Sequence, residues 1–121
     1  MGVILFAVNG SDVQVNWWNW RPTVGLLHRN GLLADEQAAR CVSNGADGKL
    51  SEAEAVAVAD FLDEVLGNLP ADTALGLDGS RRTTIREPLT MPVTDEWYQA
   101  SSEWLRQFAV FCRGSGGFRV S

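Results

Sequence analysis

The chain has 121 residues, 45% of them hydrophobic and 21% charged, and a formal net charge of −5. That apolar share is too high for a disordered chain, and no apolar run approaches the ~20 residues that a membrane-spanning helix needs. One Lys and nine Arg against fifteen acids argue against a general nucleic-acid binder.

A chain of this length is expected to form one domain, residues 1–121, with no disulfide or metal staple. Val3-Ile4-Leu5-Phe6-Ala7-Val8 is β-branched and aromatic, while Val13-Gln14-Val15-Asn16-Trp17 alternates apolar and polar. With Asn9-Gly10 between them, the two runs read as a β-hairpin. The first run lacks a basic flank and is not expected to be a secretory signal. Arg21-Pro22 marks the next boundary and predicts a helix from Pro22 to about His28 or Asn30. Ala34–Val42 reads as a second short helix, with Asp35 and Glu36 in its favourable first turn.

Ser51-Glu52-Ala53-Glu54 is a capping box that opens a longer helix over 52–66. Leu50, Val58, Leu62, Val65, Leu66 and Leu69 recur there at helical spacing, and Gly67 and Pro70 close it. Residues 71–94 are rich in Thr, Pro and Gly; one short strand is expected, at Ala74–Leu77 or Thr83–Ile85. The last helix is predicted from about Asp95 to Arg113, with Trp97, Trp104, Leu105, Phe108, Phe111 and Cys112 as its apolar stripe. Gly117-Phe118-Arg119-Val120 then returns to the hairpin as a third strand. The expected class is α+β: a small antiparallel sheet, made of the N-terminal hairpin and the C-terminal strand, against two longer amphipathic helices and two short ones.

Charge is segmented. Between Ala34 and Asp78 ten acids face two bases, a charge of −8, against +1 before this stretch and +2 after it. The middle of the chain therefore presents an acidic helical face, with Asp60, Asp63 and Glu64 as residues able to steer a basic partner.

Four features could carry function. Asn16-Trp17-Trp18-Asn19-Trp20-Arg21-Pro22 places three of the five tryptophans within four positions, next to an Arg. Such a cluster can stack on a ligand or a partner side chain while Arg21 grips an anion, and it can equally serve the core. Alternation from Val13, Val15 and Trp17 turns Trp18 to the other face, so Trp18 is the expected exposed residue, with Trp20 also a binding candidate.

The segment Ser43–Glu54 resembles an EF-hand calcium loop from its fifth position onward, with Asp47, Gly48, Leu50 and Glu54 in place. Ser43 and Gly45 stand where the first and third ligands belong, and a tight turn with a capping box explains the same letters, so no metal or other cofactor is expected. His28 is the one conventional general base. No nucleophile or Asp is assigned to it by the sequence, which suits a structural or capping histidine. Finally, Leu77-Asp78-Gly79-Ser80-Arg81-Arg82-Thr83-Thr84-Ile85-Arg86 reads as an exposed, mobile loop with three Arg that could contact an anion or an acidic protein. Cys41 and Cys112 sit in helical surroundings and are expected as reduced, buried thiols in a cytoplasmic protein.

The layout resembles that of small uncharacterised bacterial proteins with an N-terminal hairpin, a Trp-x-Trp-Arg stretch and an Asn-Gly turn before an acidic helix, followed by a Trp-Leu-x-x-Phe helix and a Gly-Gly-Phe-x-Val end. Here these are Trp18–Arg21, Asn44-Gly45, Trp104–Phe108 and Gly116–Val120. The resemblance implies no activity. The expected function is a non-catalytic protein-interaction module, of the immunity or regulatory kind, whose partner is another protein and neither nucleic acid nor membrane. The alternative is a small-ligand-binding domain using the Trp17–Trp20 cluster and Arg21.

Overall fold

The computed structural model describes residues 2–43, 47–83 and 98–121. The N-terminal hairpin forms as the sequence predicts: β1 (Gly2–Ala7) pairs antiparallel with β2 (Asp12–Asn16), Leu5 opposite Val13. At the turn Gly10 takes φ +90°, a conformation glycine adopts without strain, and Asn9 Oδ1 accepts the Ser11 amide at 2.8 Å.

The first helix, α1, runs Trp17–Arg29 and so begins five residues before the predicted start at Pro22. Asn16 is the reason. Its side chain accepts the Asn19 amide at 2.9 Å, an N-cap that ends β2 and starts the helix at once. Pro22 lies inside the helix and forgoes one hydrogen bond there; its complete burial with Trp20, Val24 and Leu27 offsets that cost.

The short helix α2 (Asp35–Val42) leads toward β3 (Gly48–Ser51), a strand that the helical spacing of Leu50 had concealed. Ser51 then caps α3 (Glu52–Gly67): its hydroxyl accepts the Glu54 amide at 3.2 Å, and Glu54 accepts the Ser51 amide at 2.9 Å. Three short strands follow, β4 (Thr73–Gly76), β5 (Arg81–Thr83) and β6 (Gln99–Ser101). The last helix, α4, spans Ser102–Gly114 and is shorter than predicted; Ser101 caps it through the Trp104 amide, and Trp97 lies outside the described residues. The chain closes on β7 (Gly117–Val120).

Among the described residues these elements make an α+β fold with four helices and two antiparallel sheets. The larger sheet has the order β2-β1-β7-β3, so the C-terminal strand joins the hairpin and places Phe118 opposite both Ala7 and Leu50. The smaller sheet, β5-β4-β6, brings Leu75 beside Ala100. Helices α3 and α4 pack on each other; α3 lies on β3 and β7 of the larger sheet, whereas α4 packs on β4 and β6 of the smaller one and reaches the larger through Phe108 and Phe111 against Phe118. Aromatic rings fill the space between: Phe108 meets Trp20 edge-on at 5.6 Å, Trp104 stacked at 5.4 Å and Phe118 edge-on at 5.9 Å. Cys41 and Cys112 are separate buried thiols; burial pushes the first up to about 11 and raises the second further. No helix among the described residues is long and apolar enough to cross a membrane.

Candidate functional site

The tryptophan cluster sits on the first two turns of α1, so helical rather than alternating geometry divides its members. Trp20 faces inward, 1% exposed, and donates its indole N–H to the Cys41 carbonyl at 2.8 Å. It is a core residue and offers nothing to a partner. Trp17 and Arg21 are four positions apart and share the outer face, with the guanidinium carbon 5.3 Å from the Trp17 ring centre. Trp18 lies beside them, half-buried, its ring centre 4.7 Å from that of Tyr98. Arg21 also lies over Tyr98, at 5.7 Å. Asn19 makes this meeting possible: its Oδ1 accepts the Ser101 amide at 3.1 Å and so fastens α1 to β6, just beyond Tyr98.

The result is a surface group of Trp17, Trp18, Arg21 and Tyr98. The expectation for Trp18 rested on strand alternation, but the partial exposure it shows has a helical cause. Tyr98 had no signal in the sequence at all. It is the chain's one tyrosine, and the β6–α1 contact brings it to the cluster.

The acidic face is less free than its charge suggests. Arg113 of α4 reaches Asp60 at 3.0 Å and Asp63 at 2.6 Å, and these two hydrogen bonds raise its already high pKa. Two of the three acids proposed to steer a partner are thus paired across α3 and α4, in water-exposed geometry of modest energy. Glu64, exposed on the same helix, makes no ion pair among the described residues.

The calcium-like letters serve the chain itself. Glu54 accepts from the Ser51 amide and from Gln37 at 3.1 Å; these bonds, the Ser51 one first, hold its carboxyl below the usual range. Asp47 takes φ +56° and lies 3.7 Å from Lys49 and 3.6 Å from Arg119. Residues 44–46 of the same segment lie outside the described residues. Calcium is therefore expected not to raise Tm in a thermal melt. A rise of several degrees with calcium and none with magnesium would show that Glu54 leaves its capping box for the ion.

His28 has a partner that the sequence did not assign: its Nε2 lies 2.6 Å from Asp35 Oδ1, with side-chain exposures of 44% and 99%. The pair clips the end of α1 to the start of α2 in open solvent. The Asp78–Ser80 segment is a tied hairpin turn between β4 and β5. Asp78 accepts the Ser80 amide and hydroxyl at 2.9 and 2.6 Å, bonds that lower its pKa, and Arg29 donates to the Leu77 carbonyl at 2.7 Å. Arg82 folds back to 3.8 Å from Asp78, Arg81 is exposed, and Arg86 lies outside the described residues.

A surface groove of about 630 Å³ runs between the end of α1, α3 and the smaller sheet, with Leu26, Phe61, Val65 and Leu75 as its floor and Glu64 and Arg81 on its rim. None of its lining residues belongs to the tryptophan cluster. No family model, curated protein or solved structure matches the chain.

Proposed function

We propose that the protein is a non-catalytic, cytoplasmic interaction domain, of the immunity or regulatory kind, that binds another protein through Trp17, Trp18, Arg21 and Tyr98. One observation carries this reading: the Arg21 guanidinium lies over two aromatic rings, with a third aromatic beside them, on one surface. Trp, Tyr and Arg are the residue types enriched at binding hot spots. Rings hold apolar area rigidly, and a stacked guanidinium keeps its N–H edge turned to an acceptor. The partner offers an apolar side chain to the rings and a carboxylate or carbonyl oxygen to Arg21. Two buried free thiols are consistent with a reducing compartment.

The acids act differently. Asp60 and Asp63 share the one Arg113, so charge steering of a basic partner falls mainly to Glu64. Partners recovered by affinity purification from the native host, then purified and recombined with the protein, provide the test. Trp18→Ala and Arg21→Ala should each weaken binding at least tenfold, chiefly through faster dissociation, the scale of a hot spot worth about 2 kcal/mol. Glu64→Gln should change only the association rate, and that change should vanish in high salt. Equal affinity for wild type and both cluster variants would end this reading.

A further inference from the structure

The larger sheet has two edges, and they are treated differently. At β3, α2 covers the edge: Gln37 donates its side-chain amide to the Lys49 carbonyl at 2.8 Å, and Gly48 backs directly onto Cys41. At the opposite edge β2 pairs with β1 alone among the described strands, and no described element covers its outer side. The hydrogen-bond phase shows which of its groups are left over. The Ala7 amide donates to the Ser11 carbonyl, and pairs alternate along an antiparallel ladder, so Val13 and Val15 bond to β1. Ile4 agrees with this phase, since it exchanges both bonds with Ser121 on the β7 side at 2.9 Å. Asp12 and Gln14 therefore turn their main-chain N–H and C=O groups away from β1, as does the Asn16 N–H, while the Asn16 carbonyl opens the hydrogen bonding of α1 as its N-cap.

Natural edge strands are usually blunted by Lys, Pro, a bulge or a covering element. Asp12-Val13-Gln14-Val15-Asn16 contains neither Lys nor Pro, and its ladder with β1 runs without a bulge. We propose that this edge is the site at which a second copy of the chain adds its own β2, antiparallel about a two-fold axis through Gln14.

The register fits itself. Gln14 meets Gln14 of the partner as a pair exchanging both main-chain bonds, and Val13 meets Val15 on the core-side face. Val13 is only half-buried where Val15 is buried, so the partner's Val15 completes a cover that β1 leaves unfinished. On the outer face Asp12 meets Asn16. The Oδ1 of Asn16 is occupied by Asn19, which leaves its amide hydrogens to donate to the Asp12 carboxylate of the partner. The two Asp12 carboxylates stand at opposite ends of the ribbon, so no like charges are opposed. A foreign strand would meet none of these pairings by necessity, whereas a second copy meets all of them in both directions.

Sedimentation over a wide concentration range, together with thiol cross-linking, tests this. The wild type should reach twice 13.2 kDa as concentration rises. Gln14→Cys should form a disulfide-linked dimer several-fold faster than Lys49→Cys, because the Cα atoms of a hydrogen-bonded antiparallel pair stand ~5.5 Å apart, within disulfide reach. The native thiols are buried and give little background. Gln14→Pro removes the central N–H at an edge position that tolerates proline, and should leave a folded monomer. A wild type that stays monomeric throughout, or Gln14→Cys cross-linking no faster than Lys49→Cys, would overturn the proposal.

Discussion

Replacing Trp20 with alanine should cost the protein about 3–5 kcal/mol, the scale measured for deleting a large buried aromatic. Domains of this kind hold about 5–15 kcal/mol in total, so the variant should be near the edge of folding. Two separate losses contribute. The indole fills the space between α1 and α4, edge-on to Phe108, and its removal leaves a void in a region with no solvent access. The Cys41 carbonyl also loses its 2.8 Å donor in a buried setting. Trp20→Phe separates the two: it keeps a ring against Phe108 and removes the donor, and should cost less, about 1–3 kcal/mol, if the carbonyl stays dry. Urea unfolding followed by circular dichroism would read both. A loss below 1 kcal/mol for Trp20→Ala would contradict the burial described. Trp18→Ala, at the half-exposed edge of the same helix, should cost much less than Trp20→Ala, which is what allows a binding defect there to be separated from a folding defect.

That contrast between neighbours also shows where local pattern stops informing. The hairpin was readable because the Asn9-Gly10 turn is set locally, by Asn9 Oδ1 on the Ser11 amide and the positive φ of Gly10, and α3 because Ser51 and Glu54 satisfy each other three residues apart. The start of α1 was not readable. Arg21-Pro22 is a sound local signal for a helix start, but Asn16 capping and the burial of Trp20 override it. Leu50 suited a helical stripe as well as a strand, and only Phe118, far along the chain, decides for β3. Strands of three or four residues such as β4 and β6 carry almost no periodicity of their own; the pairing of Ala74 with Ser101 makes them strands. The candidate site follows the same division. Trp18 and Arg21 were visible as residue types, whereas Tyr98 and the Arg113 pairing depend on long-range contacts that no spacing rule reaches.

The second large effect is expected at the buried link between α1 and α4. The Thr23 hydroxyl accepts the Trp104 indole N–H at 2.9 Å and donates to the Asn19 carbonyl at 2.7 Å, and Thr23 is wholly buried. Thr23→Val conserves shape but leaves the Trp104 donor unpaired in a dry interior, at a cost of about 1–3 kcal/mol. Trp104→Phe removes the donor and some of the stacking on Phe108. The double variant leaves no unpaired donor, so its loss should fall short of the sum of the singles by about 1 kcal/mol. Denaturant unfolding of all four proteins measures that coupling, and losses that simply add would show that the hydroxyl and the indole do not act together. The consequence reaches the surface, because Asn19, which accepts from Thr23, also holds the Ser101 amide beside Tyr98. Thr23→Val should therefore weaken partner binding although it touches no partner, while the surface substitution Arg106→Ala, on the far helix, should leave that binding unchanged.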